Sequence, residues 1–545
     1  MTKLFFKVCG LFLVAVLIFT ACNNEDNKGT KKAFFRYNQA SGISSLDPAF
    51  AKDQANIWAA NQLFNGLVQM DDDLNIKPCI AHKWTISNDG LVYTFFLRND
   101  VSFHDNDLFH NGKGPLVTAH DVAYSLNRIV DKKVASAGAW LFNDRIADNN
   151  AFVAKNDSVF QMTLKKPFRP MLGILSMQYC SVVPEKIVAH YGKAFRKNPV
   201  GTGPFKLKVW KENEVMVLEK NPTYFEKTAQ NEQMPFIDGV KITFIENKRN
   251  AFLKFIDGEL DMLSGIDATY KDDLLSQDGD LLPNRKETIN LLRSPYMNTE
   301  YLGFQTNPEK QKNKALLIKE VRQAINYGFN RTKMIQFLRN NIGNPAISGF
   351  VPKGFPSFDA NKVKGYDYNL AKARELLAQA GYPNGEGLPE ITLETTSSYK
   401  DLCTYIQKEL GELGLKVKME MHPPAFLREK IAKGESDFFR ASWIGDYPDA
   451  ETYLTVLYGG NPAPPNYTQF KNTNYDALYE KALATTNDAE LFDLYQQMDR
   501  IIIEEAPIVP LFYDEVLRFV QKEVKGLGVN TFNLLTLKKV QLDKK

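Results

Sequence analysis

Segments of two kinds alternate along the chain. Short runs rich in β-branched and aromatic residues predict strands, at 33–37, 92–97, 205–210, 215–218 and 415–421. Apolar residues spaced three and four positions apart predict helices, at 55–67, 122–129, 319–329, 370–380 and 491–505. Helices and strands that follow one another in this way predict mixed α/β lobes.

Helix boundaries and loops support this division. Asn65-Gly66 predicts the end of the first helix, and Thr118 can cap the helix through 122–129. Pro- and Gly-rich pieces predict surface loops at 343–356, 381–389 and 459–466, and none looks like a linker between domains. Because 545 residues exceed one hydrophobic core, we expect two or three lobes.

The N-terminus has the pattern of an export signal. Lys3 and Lys7 precede an apolar run from Val8 to Ala21, which is shorter than the roughly 20 residues of a membrane span. Residues 19–22, Phe-Thr-Ala-Cys, resemble a bacterial lipobox, with Phe in place of the usual Leu. We expect 1–21 to be a signal peptide, Cys22 to carry lipid and 22–32 to form a flexible tether; the alternative is a plain secretory signal.

Composition excludes some classes of partner. Residues 1–21 carry two lysines and no acids, so their removal lowers the formal net charge from +3 to +1. A near-neutral chain without basic blocks gives no electrostatic case for nucleic acid. Cysteines remain after Cys22 only at 79, 180 and 403, without a CxxC pair, so the chain is no disulfide scaffold or zinc ribbon. One disulfide stays possible, but the sequence does not choose it.

The run Trp443-Ile444-Gly445-Asp446-Tyr447-Pro448-Asp449 carries the most distinctive chemistry. It places the carboxylate of Asp446 between two large aromatic residues and just before a proline. A carboxylate against apolar walls is costly unless a cation meets it. The alternative is a solvated loop acid followed by a Tyr-Pro-Asp turn.

Patterns typical of enzymes are weak. Ser397-Ser398-Tyr399-Lys400 matches the S-x-x-K acylation pattern, but no S-D-N or K-T-G motif accompanies it. Gly201-Thr202-Gly203 lacks the Gly-Lys-Ser/Thr that completes a phosphate loop, and Pro204 removes an amide donor, so we interpret it as a tight structural turn. The zinc-protease motif HExxH does not occur.

Metal-binding patterns are equally weak. His104, His110 and His120 lie near several aspartates and could build a metal site, but loop histidines satisfied by the protein are the favoured interpretation. Residues 71–73 are three aspartates without the spacing of calcium ligands, which is typical of a solvated turn. We therefore expect neither metal nor cofactor.

Many segments, taken together and in order, resemble the extracytoplasmic solute-binding proteins of family 5. These proteins serve ABC importers for peptides and, in some members, nickel chelates or other solutes. The resemblance covers essentially the whole mature chain. It rests on SLDPA at 45–49, NGL at 65–67, WTISNDGLVYTF at 84–95, LRNDVSFHD at 97–105, TAHDV at 118–122, NPVGTGPF at 198–205, GELD at 258–261, VRQAINY at 321–327, NLAKA at 369–373 through Gly381, WIGDYP at 443–448 and EAP at 505–507.

The resemblance implies an α/β periplasmic-binding-protein-like fold of type II, in its large three-lobed variant. Lobe I would comprise 33–70, 196–295 and 512–545; lobe II would be an insertion at 71–195; and lobe III would comprise 296–511. Ligand would bind in a cleft between lobes I and III, which close about a hinge. Lobe II would mostly add bulk and flank the cleft.

The resemblance also implies site residues. Asp446 would pair with the α-ammonium of a peptide, and Trp443 would line a side-chain pocket, with core packing as its alternative. Two segments would pair with the ligand backbone, and their residues are Ser41, Gly42 and Ile43 in lobe I and Ser442, Trp443 and Ile444 in lobe III. Arg440 would meet the ligand's C-terminal carboxylate, with a surface salt bridge as its alternative.

We therefore expect a monomeric receptor, not an enzyme, that captures short peptides and delivers them to an ABC permease. It would face the periplasm and contact a membrane only through the lipid on Cys22. One alternative is a binder of the same fold for a metal chelate or another small solute. A more distant alternative is an envelope hydrolase.

Overall fold

A computed structural model describes residues 32–267 and 269–543. The signal peptide at 1–21, the lipidation site Cys22 and the tether up to residue 31 lie outside the described residues. Within those residues, no helix is long and apolar enough to cross a membrane.

The strands of the described chain are β1 (Phe34–Asn38), β2 (Val68–Met70), β3 (Ile76–Pro78), β4 (Ala81–Ile86), β5 (Val92–Leu97), β6 (Phe152–Asn156), β7 (Val159–Thr163), β8 (Phe205–Lys211), β9 (Val215–Lys220), β10 (Gly239–Thr243), β11 (Met262–Ser264), β12 (Ile289–Phe304), β13 (Asn344–Pro345), β14 (Ile391–Thr395), β15 (Val417–Met421), β16 (Phe438–Ile444), β17 (Ile508–Gln521), β18 (Val524–Lys525) and β19 (Gln541–Leu542).

The α-helices are α1 (Gln54–Leu63), α2 (Ala119–Val130), α3 (Met171–Leu175), α4 (Glu185–Tyr191), α5 (Lys248–Ile256), α6 (Lys319–Tyr327), α7 (Arg331–Arg339), α8 (Leu370–Gln379), α9 (Lys400–Gly411), α10 (Pro424–Lys433), α11 (Glu451–Leu454), α12 (Thr473–Ala484) and α13 (Asp488–Glu505). Short 3-10 helices occur at Pro48–Phe50, His110–Gly112, Ala139–Leu141, Gln178–Cys180, Gly192–Lys197, Lys271–Asp273, Lys314–Leu317, Pro383–Gly385, Ser397–Tyr399 and Thr455–Leu457.

The helices and strands predicted from the sequence are present. Thr118 caps α2 together with Asp121, whose carboxylate accepts a hydrogen bond from the backbone N–H of Thr118. The largest shift of a helix end is at α1, which stops at Leu63 and not at residue 67 because Phe64 is extended, with φ −132° and ψ 161°. The chain is therefore mixed α/β, as expected.

One mixed sheet runs through lobes I and III. Its strand order is β15-β14-β16-β12-β17-β11-β1-β10-β9-β8, and β13 also pairs with β17. β12 and β17 are the two longest strands of the described chain and pair antiparallel along most of their length. Their register shifts between Pro295 and Thr299, beside the predicted lobe boundary at 295/296. The division into lobes remains a prediction. Its boundaries between lobes I and III, at 295/296 and 511/512, fall inside β12 and β17.

Lobe II has its own sheet. β4, β5, β7 and β6 form four antiparallel strands, against which α2 packs. One continuous core joins this sheet to lobe I and includes Phe95, Phe160, Trp58 and Phe205. Tyr447 of lobe III also packs into this core, with its ring centroid 6.5 Å from that of Phe168 in lobe II. Lobe II therefore contacts lobe III directly.

The three cysteines of the described chain are separate and buried. Cys79, Cys180 and Cys403 each carry a free thiol, so none of them forms the disulfide that the sequence left open. Burial raises the pKa of the Cys79 thiol to about 12. These cysteines fill space in the cores.

The loop at 198–204 is a structural turn. Gly203 N donates to Leu63 O at the end of α1 (2.9 Å). The ring of His104 lies against the same turn, accepting from Gly201 N at Nδ1 (3.3 Å) with Nε2 2.9 Å from Gly203 O. Burial lowers the pKa of His104 to about 4, so the ring is neutral and both nitrogens are occupied by backbone groups. His104 thus fastens lobe II to lobe I.

This close contact predicts the effect of Gly203→Ala. A Cβ at Gly203 would lie 2.4 Å from the carbonyl carbon of Leu63 and 2.6 Å from Gln62 O, both backbone atoms that cannot give way cheaply. We expect a loss of about 1–3 kcal/mol in stability, measured as a thermal midpoint lower by several degrees. Gly411→Ala is the control, because a Cβ there meets no heavy atom within 4 Å. Equal midpoints for the two variants would contradict this account of the turn.

Candidate functional site

A cavity of about 780 Å³ is lined by residues of all three predicted lobes. Lobe I contributes the start of α1 and the segment around Phe532, lobe II contributes the segments around Trp140 and Tyr179, and lobe III contributes 443–448. Seven aromatic residues contribute to the wall: Trp58, Trp140, Tyr179, Tyr296, Trp443, Tyr447 and Phe532. Such a wall suits an organic ligand with apolar parts.

Asp446 is the carboxylate of lobe III that lines this cavity. It follows β16 and Gly445, and its backbone N–H donates to Thr452 Oγ1 at 3.0 Å. Within the described chain, no lysine, arginine or histidine forms an ion pair with it. Asp446 is therefore half-buried beside aromatic rings and has no ion-pair partner among the described residues.

The loop that carries Asp446 is rigid because its neighbours are anchored. Tyr447 is buried, and its hydroxyl donates to the carboxylate of Glu451, which also accepts from Tyr479. Asp449 accepts from the hydroxyl of Tyr495 at 2.6 Å and from the backbone N–H of Glu451 at 2.9 Å. These bonds fix the segment after Asp446, and Gly445 N donates to Met297 O at 2.8 Å on the side before it, so its carboxylate is positioned before any ligand arrives.

The surroundings change the acidity of Asp446. Burial raises the pKa of Asp446 to about 7, and the negative charge of Glu451 acts in the same direction. Thr452 and the positive charge of Arg145 oppose this shift, by hydrogen bonding and by attraction. A carboxylate destabilised in this way gains more free energy from pairing with a cation than a solvated carboxylate does.

Along β16, which ends two residues before Asp446, the backbone N–H and C=O groups of successive residues point to opposite edges of the strand. Two hydrogen bonds bracket its antiparallel pairing with β12, from Gln305 N to Asp437 O (3.0 Å) and from Gly445 N to Met297 O (2.8 Å). Because bonded pairs alternate along such a ladder, the odd-numbered residues of β16 face β12. The even-numbered residues direct their backbone groups to the opposite edge.

That opposite edge is open near the cavity. β14 meets β16 only at Glu394 and Phe439, so past Phe439 no strand of the described residues covers it. The backbone groups of Ser442 and Ile444 therefore point to an uncovered strand edge that ends at Asp446. An extended chain can add to such an edge as a further strand.

Comparisons with known proteins identify the family. The model of the bacterial extracellular solute-binding proteins, family 5, matches residues 75–465. The chain belongs to this family.

Similar proteins cover nearly its full length. The chain is 27% identical to the dipeptide-binding protein DppE of Bacillus subtilis, over 92% of this chain and 90% of that protein. It is 26% identical to the glutathione-binding protein GsiB of Escherichia coli K12, over 90% of each chain. The structure of DppA from Helicobacter pylori in complex with the peptide STSA matches with a TM-score of 0.75 at 28% identity, over 95% of this chain and 100% of that one. The predicted family 5 fold is thus confirmed.

Other predicted site residues of lobe III occupy the cavity wall. Trp443 lines the cavity while its Nε1 donates to Thr452 O at 2.7 Å, which fixes the indole plane. Ile444 also lines the cavity and is 48% exposed, which is unusual for a large apolar side chain. The structure therefore brings both residues together with Asp446, while their contact with a ligand remains a prediction.

Arg440 lies elsewhere. Its guanidinium pairs with the carboxylate of the buried Glu300 on β12 and stacks on Tyr399, with Cζ 3.2 Å from the ring centroid. It does not line the 780 Å³ cavity. Its predicted contact with a ligand carboxylate would require it to leave Glu300, whose buried charge it neutralises.

The predicted lobe I segment also lies outside this cavity. Gly42 has φ +69°, a conformation that favours glycine, and donates to Gln39 O at 3.3 Å. Ser41 is exposed and Ile43 is buried. Pairing of this segment with a ligand backbone remains a prediction, and in this structure α1 and its preceding turn supply the lobe I wall instead.

Sequence reasoning missed part of the cavity. Phe532 and Leu534 reach it because Arg518, fully buried, donates to the carbonyls of Gly528, Asn533 and Leu534 at 2.7–3.1 Å. From lobe II, Trp140, Arg145 and Tyr179 line it. No local motif marks these residues, because they approach Asp446 only through the packing of lobes.

One cluster of the described residues has the composition of a metal site. Ligand atoms of Glu394, Glu420 and His422 lie within 4.8 Å of one another. However, Lys430 Nζ lies 2.5 Å from Glu394 Oε2, and Lys418 Nζ lies 2.7 Å from Glu420 Oε1. Two ammonium groups therefore already balance the two carboxylates.

The raised pKa of Asp446 predicts how pH affects stability. The unfolded chain releases this proton near pH 3.8, whereas the folded state holds it up to about pH 7. Between these values the folded state binds more protons, so the free energy of unfolding falls as pH rises. Asp446→Asn cannot ionise, so in ligand-free protein its thermal midpoint should rise relative to wild type from pH 4 to pH 7.5.

Asp278→Asn is the control for this measurement, because Asp278 is exposed and outside the cavity. Its midpoint relative to wild type should stay constant over the same pH range. The same constancy for Asp446→Asn would show that Asp446 is not destabilised by its surroundings.

Proposed function

We propose that this protein is a non-catalytic receptor that captures short peptides in the cavity between its lobes. The observation that carries the proposal is a desolvated carboxylate, Asp446, which has no ion pair within the described residues and lies at the end of an open strand edge in a cavity with aromatic lining residues. The α-ammonium of the peptide meets Asp446, and its backbone pairs with Ser442 and Ile444. Its side chains lie against Trp443 and the other aromatic walls.

This arrangement suits a ligand with constant and variable parts. Every peptide with a free amino terminus offers one ammonium group and an extended backbone, whatever its sequence. A receptor that binds the ammonium group and the backbone, and leaves room for the side chains, accepts peptides of many sequences. Asp446 and the edge of β16 supply the two matching features side by side.

The relatives support peptides as the ligand class. Two similar proteins are named for binding a dipeptide and glutathione, and a similar structure holds the peptide STSA. The open edge of β16 and the carboxylate of Asp446 fit the backbone and the ammonium group of a peptide. We therefore prefer peptides to a metal chelate as the ligand.

Export and delivery complete the proposal. Cys22 carries a lipid that anchors the mature protein in the cell envelope, where a monomer samples the periplasm for peptides. The closed, loaded form then delivers its peptide to an ABC permease. The exposed Ser397 of the S-x-x-K pattern begins the 3-10 helix before α9, and the exposed Lys400 begins α9. The two side chains make no hydrogen bond to each other, so they do not support a hydrolase.

Acetylation of the ligand tests the ammonium contact. Isothermal titration of the full-length protein with Ala-Phe and N-acetyl-Ala-Phe removes the cation without shortening the peptide. Because a desolvated pair costs about 2–5 kcal/mol when one partner is removed, affinity should fall roughly 30-fold to several thousand-fold. Asp446→Asn should weaken Ala-Phe by a similar factor and lose the discrimination against the acetylated form.

Asp278→Asn again serves as the control, since it removes an equal charge outside the cavity. It should bind both peptides as wild type does. Equal affinity of wild type for the free and acetylated peptides would refute the assignment of Asp446.

A further inference from the structure

Arg145 is the arginine of lobe II that lines the cavity together with Asp446. Its side chain is held in place by the protein. Nη1 donates to Trp140 O at 3.2 Å and to Leu141 O at 3.0 Å, and Cζ lies 4.4 Å from the centroid of the Phe168 ring. A guanidinium fixed by two carbonyls and a ring face is rigid before ligand binds.

The remaining N–H donors of Arg145 have no hydrogen-bond acceptor within the described residues. A guanidinium has five N–H groups, and the two bonds to backbone carbonyls use those of Nη1. Within the described chain, Nε and Nη2 make no hydrogen bond, and no carboxylate forms an ion pair with Arg145. The free side of the group therefore presents Nε–H and Nη2–H as a parallel fork, which is the geometry that a carboxylate accepts in two hydrogen bonds.

Other arginines of lobe II do not share this state. Arg128 pairs with Asp47, Arg98 pairs with Asp100 and Arg169 pairs with Asp488. Arg145 therefore differs from these arginines. Its guanidinium is held in one orientation but has no carboxylate partner within the described residues. Its position in the cavity wall explains the difference, since the acid can come from the ligand.

Asp446 and Arg145 line one cavity, and Lys52 and Asp53 are its other charged lining residues. Asp446 and Arg145 do not pair with each other, yet the positive charge of Arg145 lowers the pKa of Asp446 and of Glu451, so the groups lie within electrostatic reach. A ligand that enters between them meets a carboxylate on lobe III and a cation on lobe II. The charge pattern complementary to this pair is an ammonium and a carboxylate on the same small molecule.

We propose that Arg145 is a specificity-determining residue that binds a carboxylate of the peptide through the Nε–Nη2 fork. The inference rests on the proposed function, because it takes the ammonium on Asp446 as the other contact. It narrows the substrate class to peptides with a carboxylate close to their amino terminus. Lobe II is then part of the recognition site and not only bulk beside the cleft.

Two sources can supply this carboxylate. One is the C-terminus of a dipeptide, and the other is an acidic side chain next to the first residue of a longer peptide. Two matched ligand pairs separate them: Ala-Phe against Ala-Phe-amide, and Ala-Glu-Phe-amide against Ala-Gln-Phe-amide. In each pair only the carboxylate differs, while the free amino terminus is kept.

The experiment is isothermal titration of all four peptides against full-length wild type, Arg145→Met and Arg145→Lys. Wild type should bind the acidic member of at least one pair on the order of 10- to 100-fold tighter than its neutral partner, the size expected for a charge-assisted bidentate contact. Arg145→Met should abolish this preference and leave the neutral member largely unchanged. Arg145→Lys should retain part of the preference, because it keeps the charge but not the fork.

Arg98→Met is the matched control, since it removes a lobe II arginine that lies outside the cavity. It should keep the wild-type preference. The inference is overturned if wild type distinguishes neither pair, if the preference survives in Arg145→Met, or if that variant weakens acidic and neutral peptides equally, as a purely structural arginine would.

These results separate the two claims. If acetylated peptides bind as well as free ones while the carboxylate preference disappears in Arg145→Met, the ammonium contact is wrong and the Arg145 contact stands. If none of the peptides binds in any form, the proposed function and this inference both fail.

Discussion

The site depends on one constraint, which is that the carboxylate of Asp446 is desolvated in the wall of a cavity and forms no ion pair within the described residues. Such a group is costly, and the surrounding structure compensates by fixing it rather than by neutralising it. The bonds of Tyr447 to Glu451 and of Tyr495 to Asp449 anchor the segment after Asp446, and the bond from Gly445 to Met297 anchors the segment before it. In the proposed function this cost is recovered when the ligand's ammonium group pairs with Asp446.

The fold places Asp446 in a cavity lined by residues of the three predicted lobes. β12 and β17 are shared by lobes I and III, so the two lobes are joined by paired strands whose register breaks near Pro295. Lobe II meets lobe III through Phe168 and Tyr447, which brings Arg145 to the same cavity. Opening or closing of the predicted lobes would therefore change the spacing between Asp446 and Arg145, the two charges that we propose to bind the ligand.

Local chemistry was predictable from the sequence, whereas contacts between lobes were not. The run around Asp446 showed an acid between aromatics, and the structure places Trp443, Ile444 and Asp446 on one wall. The long strand β12 escaped prediction because Pro295 and the polar residues that follow it break any regular hydrophobic period. Arg145 and Phe532 carry no motif, and only the packing of distant segments shows that they share a cavity. The pairing of Arg440 with Glu300 was hidden for the same reason, since 140 residues separate them.

The most direct test of this account is mass spectrometry of the small molecules released when the purified full-length protein is unfolded. A receptor that holds an ammonium on Asp446 should release short peptides with free amino termini, and these should be absent from Asp446→Asn prepared in parallel. Release of metal chelates, sugars or amino-blocked peptides from wild type, in place of peptides with free amino termini, would contradict the account.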